Sequence, residues 1–161
     1  MPLPSPVNLA ALDLPANAGV RRKFEPRYER SAVPALALPD QVEHWHLKLG
    51  THPDLISRLW DELPAGLGVD CRVIFFGTPA LMHPATGIVF GFAFGTHAHA
   101  LRLPAPERAA ALLAGATRTA GLSGGKPGMD LADVGPEWVF CRWLKVEEAW
   151  RLAAYQAAGA N

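Results

Sequence analysis

The sequence predicts an α+β fold: a mainly antiparallel sheet of about five strands with three helices packed on it, preceded by an extended Pro-rich arm. Three observations carry that expectation. Half of the 161 residues are apolar and only 19% are charged, a balance that excludes general disorder and favours a packed body. From Asp40 onward, strand-like and helix-like stretches follow in the order β-α-β-β-β-α-β-α, and short links between neighbouring strands favour antiparallel pairing. Before that point the chain reads differently, with seven of its fifteen prolines in residues 1–39.

Those prolines fix φ and remove backbone donors, so residues 1–39 are expected to be an arm rather than a central strand or long helix. The arm holds the cluster Arg21, Arg22, Lys23, Phe24, Glu25, Pro26, Arg27, Tyr28, Glu29 and Arg30. Its five basic and three acidic residues leave a net charge of +2, against −2 in the body from 40 to 161, which is long enough for one domain with its own core.

Residues 42–49 read as a strand. Thr51-His52-Pro53 then marks a helix start, with proline at the first helical position. Leu55, Ile56, Leu59, Trp60 and Leu63 recur at helical spacing, and Pro64 and Gly66 end the run. Val69 to Phe76 reads as a buried strand, and the segment from Thr78 to Pro84 as a loop. In the next strand, Ile88 to Phe94, strict alternation puts Ile88, Phe90, Phe92 and Phe94 on one face and Val89, Gly91 and Ala93 on the other, a nearly bare surface open to close approach. His97 to Leu103 is strand-like again, and Pro104-Ala105-Pro106-Glu107 opens an Ala- and Leu-rich helix to about Ala114. Five glycines between 117 and 136 mark a loop; a short strand over Trp138–Trp143 and a helix from Val146 to about Ala158 close the chain.

The only concentrations of metal-binding or proton-transferring side chains are two His-x-His pairs, His44 with His46 and His97 with His99. Two histidines at i and i+2 on a strand share a face and can share a zinc ion. The face test separates the two pairs, however: His44 and His46 lie opposite Trp45, Leu47 and Leu49 and look outward, whereas His97 and His99 lie with Leu101 and Leu103 and look inward. Zinc is therefore the alternative to a chain with no cofactor. His83 sits in the expected loop, and Glu43, Asp70 or Glu137 could pair with a histidine, with no spacing to select among them. Residues 123–128 resemble a phosphate loop only superficially, since Ala120 and Pro127 stand where glycine and Ser or Thr are required. Trp138 and Trp150 read as core, and the adjacent Arg142 and Trp143 as an edge that could meet a partner.

A formal net charge of zero gives no global field for nucleic acid. The longest apolar run, 87–95, is far short of the ~20 residues that span a bilayer, and the first twenty residues lack a secretory pattern. With Cys71 and Cys141 in apolar runs rather than a Cys-x-x-Cys pair, a reducing cytoplasm is the expected setting, and the Ala, Arg and Pro bias suggests a bacterial source. The expected function is a non-catalytic protein-binding module, such as a small immunity, adaptor or assembly protein, docking through Arg21, Arg22, Lys23, Phe24, Arg27 and Tyr28 of the arm or through Arg142 and Trp143. The alternative is a histidine-dependent metal-binding protein or hydrolase built on His97, His99, His44 and His46. Partner identity and homo-oligomerisation stay open.

Overall fold

Two layers of side chains on opposite faces of one sheet organise this protein, and each face is covered by a different kind of structure. The computed structural model describes residues 9–28, 33–42, 51–61, 67, 69–94, 98–118, 122–123, 126–127, 134–141 and 147–160. Within them lie four helices, α1 (Ala18–Phe24), α2 (Pro53–Trp60), α3 (Ala105–Leu113) and α4 (Glu147–Gly159). The strands are β1 (Leu36–Ala37), β2 (Arg72–Phe75), β3 (Thr78–Met82), β4 (Val89–Phe94), β5 (Ala98–Arg102), β6 (Leu122–Ser123), β7 (Lys126–Pro127) and β8 (Trp138–Phe140). The sheet has six strands in the order β1-β2-β3-β4-β5-β8, every pair antiparallel, while β6 and β7 form a separate two-stranded ladder. The α+β, mainly antiparallel expectation holds, with one more strand in the sheet and one more helix than expected.

The additional strands have physical reasons. Phe76 and Gly77, at φ 46° and 75°, turn β2 back into β3 through two residues with positive φ, the geometry that matches the twist of a two-residue hairpin. Residues 78–82, expected to be loop, thereby become a central strand. Its Pro79 pairs with Ile74 of β2, and the ladder to β4 begins only at Ala80, so the missing proline N–H falls beyond the ladder on that side. β1 comes from the end of the Pro-rich leader and pairs with β2.

Strand β4 contains a bulge that reverses half of its expected facing. Leu81 pairs with Gly91 and Met82 with Val89, which leaves Phe90 as the extra residue. Phe90 and Ala93 therefore join the core under α2 and α4, whereas Val89 and Phe92 join the opposite core, with Phe94 packed against it. The phenylalanines do not form one ladder. Nor is the glycine surface open: a Cβ on Gly91 would lie 3.2 Å from Leu101 and 3.3 Å from Leu81.

On the helical face the amphipathic pattern translates directly into packing. His52 caps α2 by accepting the Asp54 N–H on Nδ1 at 3.1 Å, Pro53 opens the helix, and Leu55, Ile56, Leu59 and Trp60 are buried. Trp60 Nε1 donates to the Ala80 carbonyl at 2.9 Å, which satisfies a buried indole donor. Arg151 of α4 donates to the Arg58 carbonyl at 2.6 Å and ties the two helices together.

The other face is covered by the leader, which is folded rather than extended over its described residues. Three-residue 3-10 turns, Ala11–Asp13, Pro15–Asn17 and Glu25–Arg27, flank α1. Short turns reconcile the prolines with compaction, since Pro15 and Pro26 each sit in the first positions of a turn, where the absent N–H is not needed. Ala11, Val20 and Phe24 are buried with Val73, Phe75, Met82, Phe92, Trp138 and Phe140 in one apolar cluster. Asn17, fully buried, donates to the Ala11 and Gly87 carbonyls, both at 2.9 Å, and accepts the Val89 N–H at 2.8 Å. By bonding residues 87 and 89 of one chain segment, its amide imitates a neighbouring strand.

At the far edge of the sheet, β8 is closed by Thr117, which exchanges two backbone hydrogen bonds with Phe140 at 3.1 and 2.7 Å. Arg118 adds hydrogen bonds to the carbonyls of Gly135, Pro136 and Trp138. These contacts cover an edge that would otherwise template pairing with another chain. Among the described residues, no helix is long and apolar enough to cross a membrane.

Candidate functional site

Where β5 ends and β8 begins, the chain builds a cleft of about 220 Å³ lined by Phe90, Arg102, Leu103, Pro104, Arg108, Glu137, Ala154, Ala157 and Ala158. Its position follows from the topology. Arg102 is the last residue of β5 and pairs with Trp138, the first of β8; Leu103 N–H then bonds the Glu137 carbonyl at 2.9 Å, fixing the corner from which Pro104 launches α3. Across this corner stands α4, which presents only alanines to the cleft. Small side chains there leave the space that larger ones would fill.

The cleft is apolar inside and charged at its rim. Phe90 is fully buried and its ring meets Tyr155 edge-on at 5.8 Å; Leu103, Ala154 and Ala158 are buried beside it. At the rim, Arg102 Nε donates to Glu137 Oε1 at 3.4 Å. Arg108, one turn into α3, donates from Nη1 to the Leu103 carbonyl at 3.1 Å and makes no ion pair among the described residues. A guanidinium carries five N–H donors, so Arg108 keeps donor capacity to spare. Two guanidiniums face one carboxylate, a local excess of one positive charge.

Beside the cleft, the loop after β3 docks on the end of α4. His83 stacks on Tyr155 with ring centroids 4.7 Å apart, and its Nδ1 accepts the N–H groups of Ala85 and Thr86 at 3.1 and 3.4 Å. A neutral imidazole that accepts on Nδ1 carries its proton on Nε2, and Nε2 lies against Gly159 so closely that a Cβ there would be 2.6 Å away. Thr86 Oγ1 also donates to the Ala158 carbonyl at 3.0 Å. These contacts hold the alanine wall in place.

The residues singled out by sequence are distributed differently. His99 lies on the helical face beside Ala93 and Leu101 and is 1% exposed, while His44, His46 and His97 lie outside the described residues, as do Arg142, Trp143, Glu43 and, apart from Val42, the strand expected over 42–49. Among the described residues no group of three or more His, Cys, Asp or Glu side chains is gathered as a metal would require. Cys71 and Cys141 are buried thiols.

In the leader, the aromatic residues expected to meet a partner are engaged within the fold. Phe24 is 5% exposed and its ring contacts Phe92 at 5.1 Å and Phe94 at 6.0 Å. Tyr28 donates its hydroxyl to the Val33 carbonyl at 2.6 Å and packs edge-on against Phe76 at 5.5 Å. Arg21 bonds Glu25 at 2.5 Å and Asp13 at 2.9 Å and lies 5.1 Å from the centre of the Phe76 ring. Its pKa is raised, first by the hydrogen bond to Glu25, with burial opposing and Asp13 adding to the rise. Arg22 and Arg27 remain exposed, and Lys23 is half-buried. Phe24 is thus taken into the core, while Tyr28 and Arg21 are half-buried and bonded within the fold.

Arg102, Arg108 and the alanines of α4 are not singled out by the sequence, and Glu137 stands out there only as a candidate partner for a histidine. The only available hint was a helix-opening proline motif flanked by two arginines, Arg102-Leu103-Pro104-Ala105-Pro106-Glu107-Arg108. Nothing in it foretells that Glu137 and α4 arrive at the same corner. No protein family, curated protein or solved structure matches this chain.

Proposed function

We propose that this chain is a binding module whose ligand presents a carboxylate beside a compact apolar group, seated in the cleft between α3, α4 and the β5–β8 corner. The observation that supports this reading is the underused Arg108 guanidinium at the rim of an apolar hollow, with one carboxylate set against two arginines. Charge-assisted contacts to arginine are strong and directional, while the walls of Phe90, Leu103, Ala154 and Ala158 select for an apolar body. The volume is below the roughly 300–1,000 Å³ of drug-sized sites, which favours a single small group over a nucleotide or large cofactor. A free acid and the carboxy-terminal residue of a partner protein both carry this group. Docking of a protein thus survives as a proposal, moved from the leader to the cleft.

Titration calorimetry with isocaproate and with its amide tests the reading on the full chain. The acid should bind and the amide should not. Arg108→Gln should weaken the acid roughly tenfold or more, the loss of ~1.5–3 kcal/mol expected for a hydrogen bond to a charged group. Ala157→Leu should fill the hollow and abolish binding with an unchanged fold. Equal binding of acid and amide, or no binding of either, would sink the proposal.

A further inference from the structure

Glu137 is an unexpected residue in a site for a simple anion, because a second carboxylate at the rim repels the first. Its ion pair to Arg102 engages Oε1 at a long 3.4 Å, and no other hydrogen bond reaches the side-chain carboxylate among the described residues. A carboxylate offers about four lone-pair positions, so Glu137 keeps acceptor capacity. Within one hollow the chain therefore sets three chemically distinct surfaces: a guanidinium with free donors, a carboxylate with free acceptors and an apolar wall.

We infer that the cleft takes a free α-amino acid with an aliphatic side chain, its carboxylate on Arg108, its ammonium on Glu137 and its side chain against Phe90, Leu103, Ala154 and Ala158. This rests on the reading of the cleft as a carboxylate site. A zwitterion turns the repulsion by Glu137 into attraction and engages all three surfaces at once. The end of a partner chain engages Glu137 more weakly, because its last nitrogen is an uncharged amide rather than an ammonium. The volume agrees as well. At roughly 30 Å³ per water, about 220 Å³ holds about seven waters, the scale of one small amino acid.

The test compares four probes on the full chain by calorimetry: L-leucine, isocaproate, N-acetyl-leucine and leucinamide. Leucine should bind at least tenfold more tightly than isocaproate, which lacks the ammonium, and than N-acetyl-leucine, which neutralises it and mimics a chain terminus. Leucinamide, without the carboxylate, should bind weakest. Glu137→Gln should remove the advantage of leucine while leaving isocaproate bound, and a thermal melt of that variant checks that it is folded. Isocaproate or N-acetyl-leucine binding as tightly as leucine would overturn the amino-acid assignment and leave the carboxylate reading standing, N-acetyl-leucine then pointing to a partner's chain end. Failure of all four overturns both. Leucinamide binding as well as leucine removes the carboxylate from the recognition and overturns both as well.

Discussion

The two faces of the sheet are closed by different physics, and the contrast explains which parts of this protein can be read from its sequence. On one face, α2 lays a continuous stripe of Leu55, Ile56, Leu59 and Trp60 on the core, so its attachment is distributed over many non-directional contacts. On the other, α1 contributes only Val20 and Phe24 as buried side chains and depends on specific points: the Asn17 amide, the close approach at Gly19 and the Phe76 turn. A face held by distributed burial should lose stability gradually under mutation. A face held at points should fail at those points.

Asn17→Ala tests the strongest of them. The substitution leaves the buried Val89 N–H and the Gly87 carbonyl without the partners they have now, and each orphaned buried group costs ~1–3 kcal/mol. A loss of about 3–4 kcal/mol is expected, which in a chain of this size lowers the melting temperature by roughly 6–16 °C. A shift of under two degrees in a calorimetric or circular dichroism melt would show that the leader is not clamped there.

Gly19→Ala should cost about 2 kcal/mol, and here the sign alone is diagnostic. In an undocked helix alanine is better than glycine by about 1 kcal/mol. In the docked position a Cβ would come 1.7 Å from the Val134 carbonyl oxygen, so α1 would have to move away from the backbone it rests on, an overpacking cost of ~1–3 kcal/mol or more. Destabilisation means that α1 is seated against Val134. A stabilised variant would mean that the leader forms its helix without being attached.

These points also mark the limit of what the sequence discloses. The α2 helix is legible because burial repeats at the helical period, and β4, β5 and β8 because apolar runs are bounded by glycine or proline. The leader is illegible by the same logic. Its turns are too short to repeat anything, and the value of Asn17 lies in Gly87 and Val89, some 70 positions away. The Phe90 bulge defeats alternation in a similar way, because nothing local in Val89-Phe90-Gly91-Phe92 states that two consecutive residues will face the same helices. The cleft combines both difficulties. Arg102 and Arg108 are near neighbours in sequence, but Glu137 and α4 reach them only through the antiparallel return of β8.

The smallest expected effect concerns Phe76, where the two kinds of attachment meet. A phenylalanine at φ 46° occupies the left-handed region, which costs an L-residue of this kind roughly 1–2 kcal/mol relative to glycine. Against that strain the position places a ring, 6% exposed, in edge contact with Phe75 and Tyr28 and beneath the Arg21 guanidinium, and burying such a ring contributes ~1.5–3 kcal/mol. Phe76→Gly relaxes the turn and deletes the contacts together, so the two effects oppose each other and a net loss of about 1 kcal/mol is expected. Measured beside the double variant with Tyr28→Ala, the loss should shrink, because Tyr28 is one of the partners whose absence makes the ring less valuable. If Phe76→Gly proves more stable than the parent chain, the turn strain exceeds the ring's contribution. The grip of the leader would then rest on Asn17, Gly19 and the buried Val20 and Phe24.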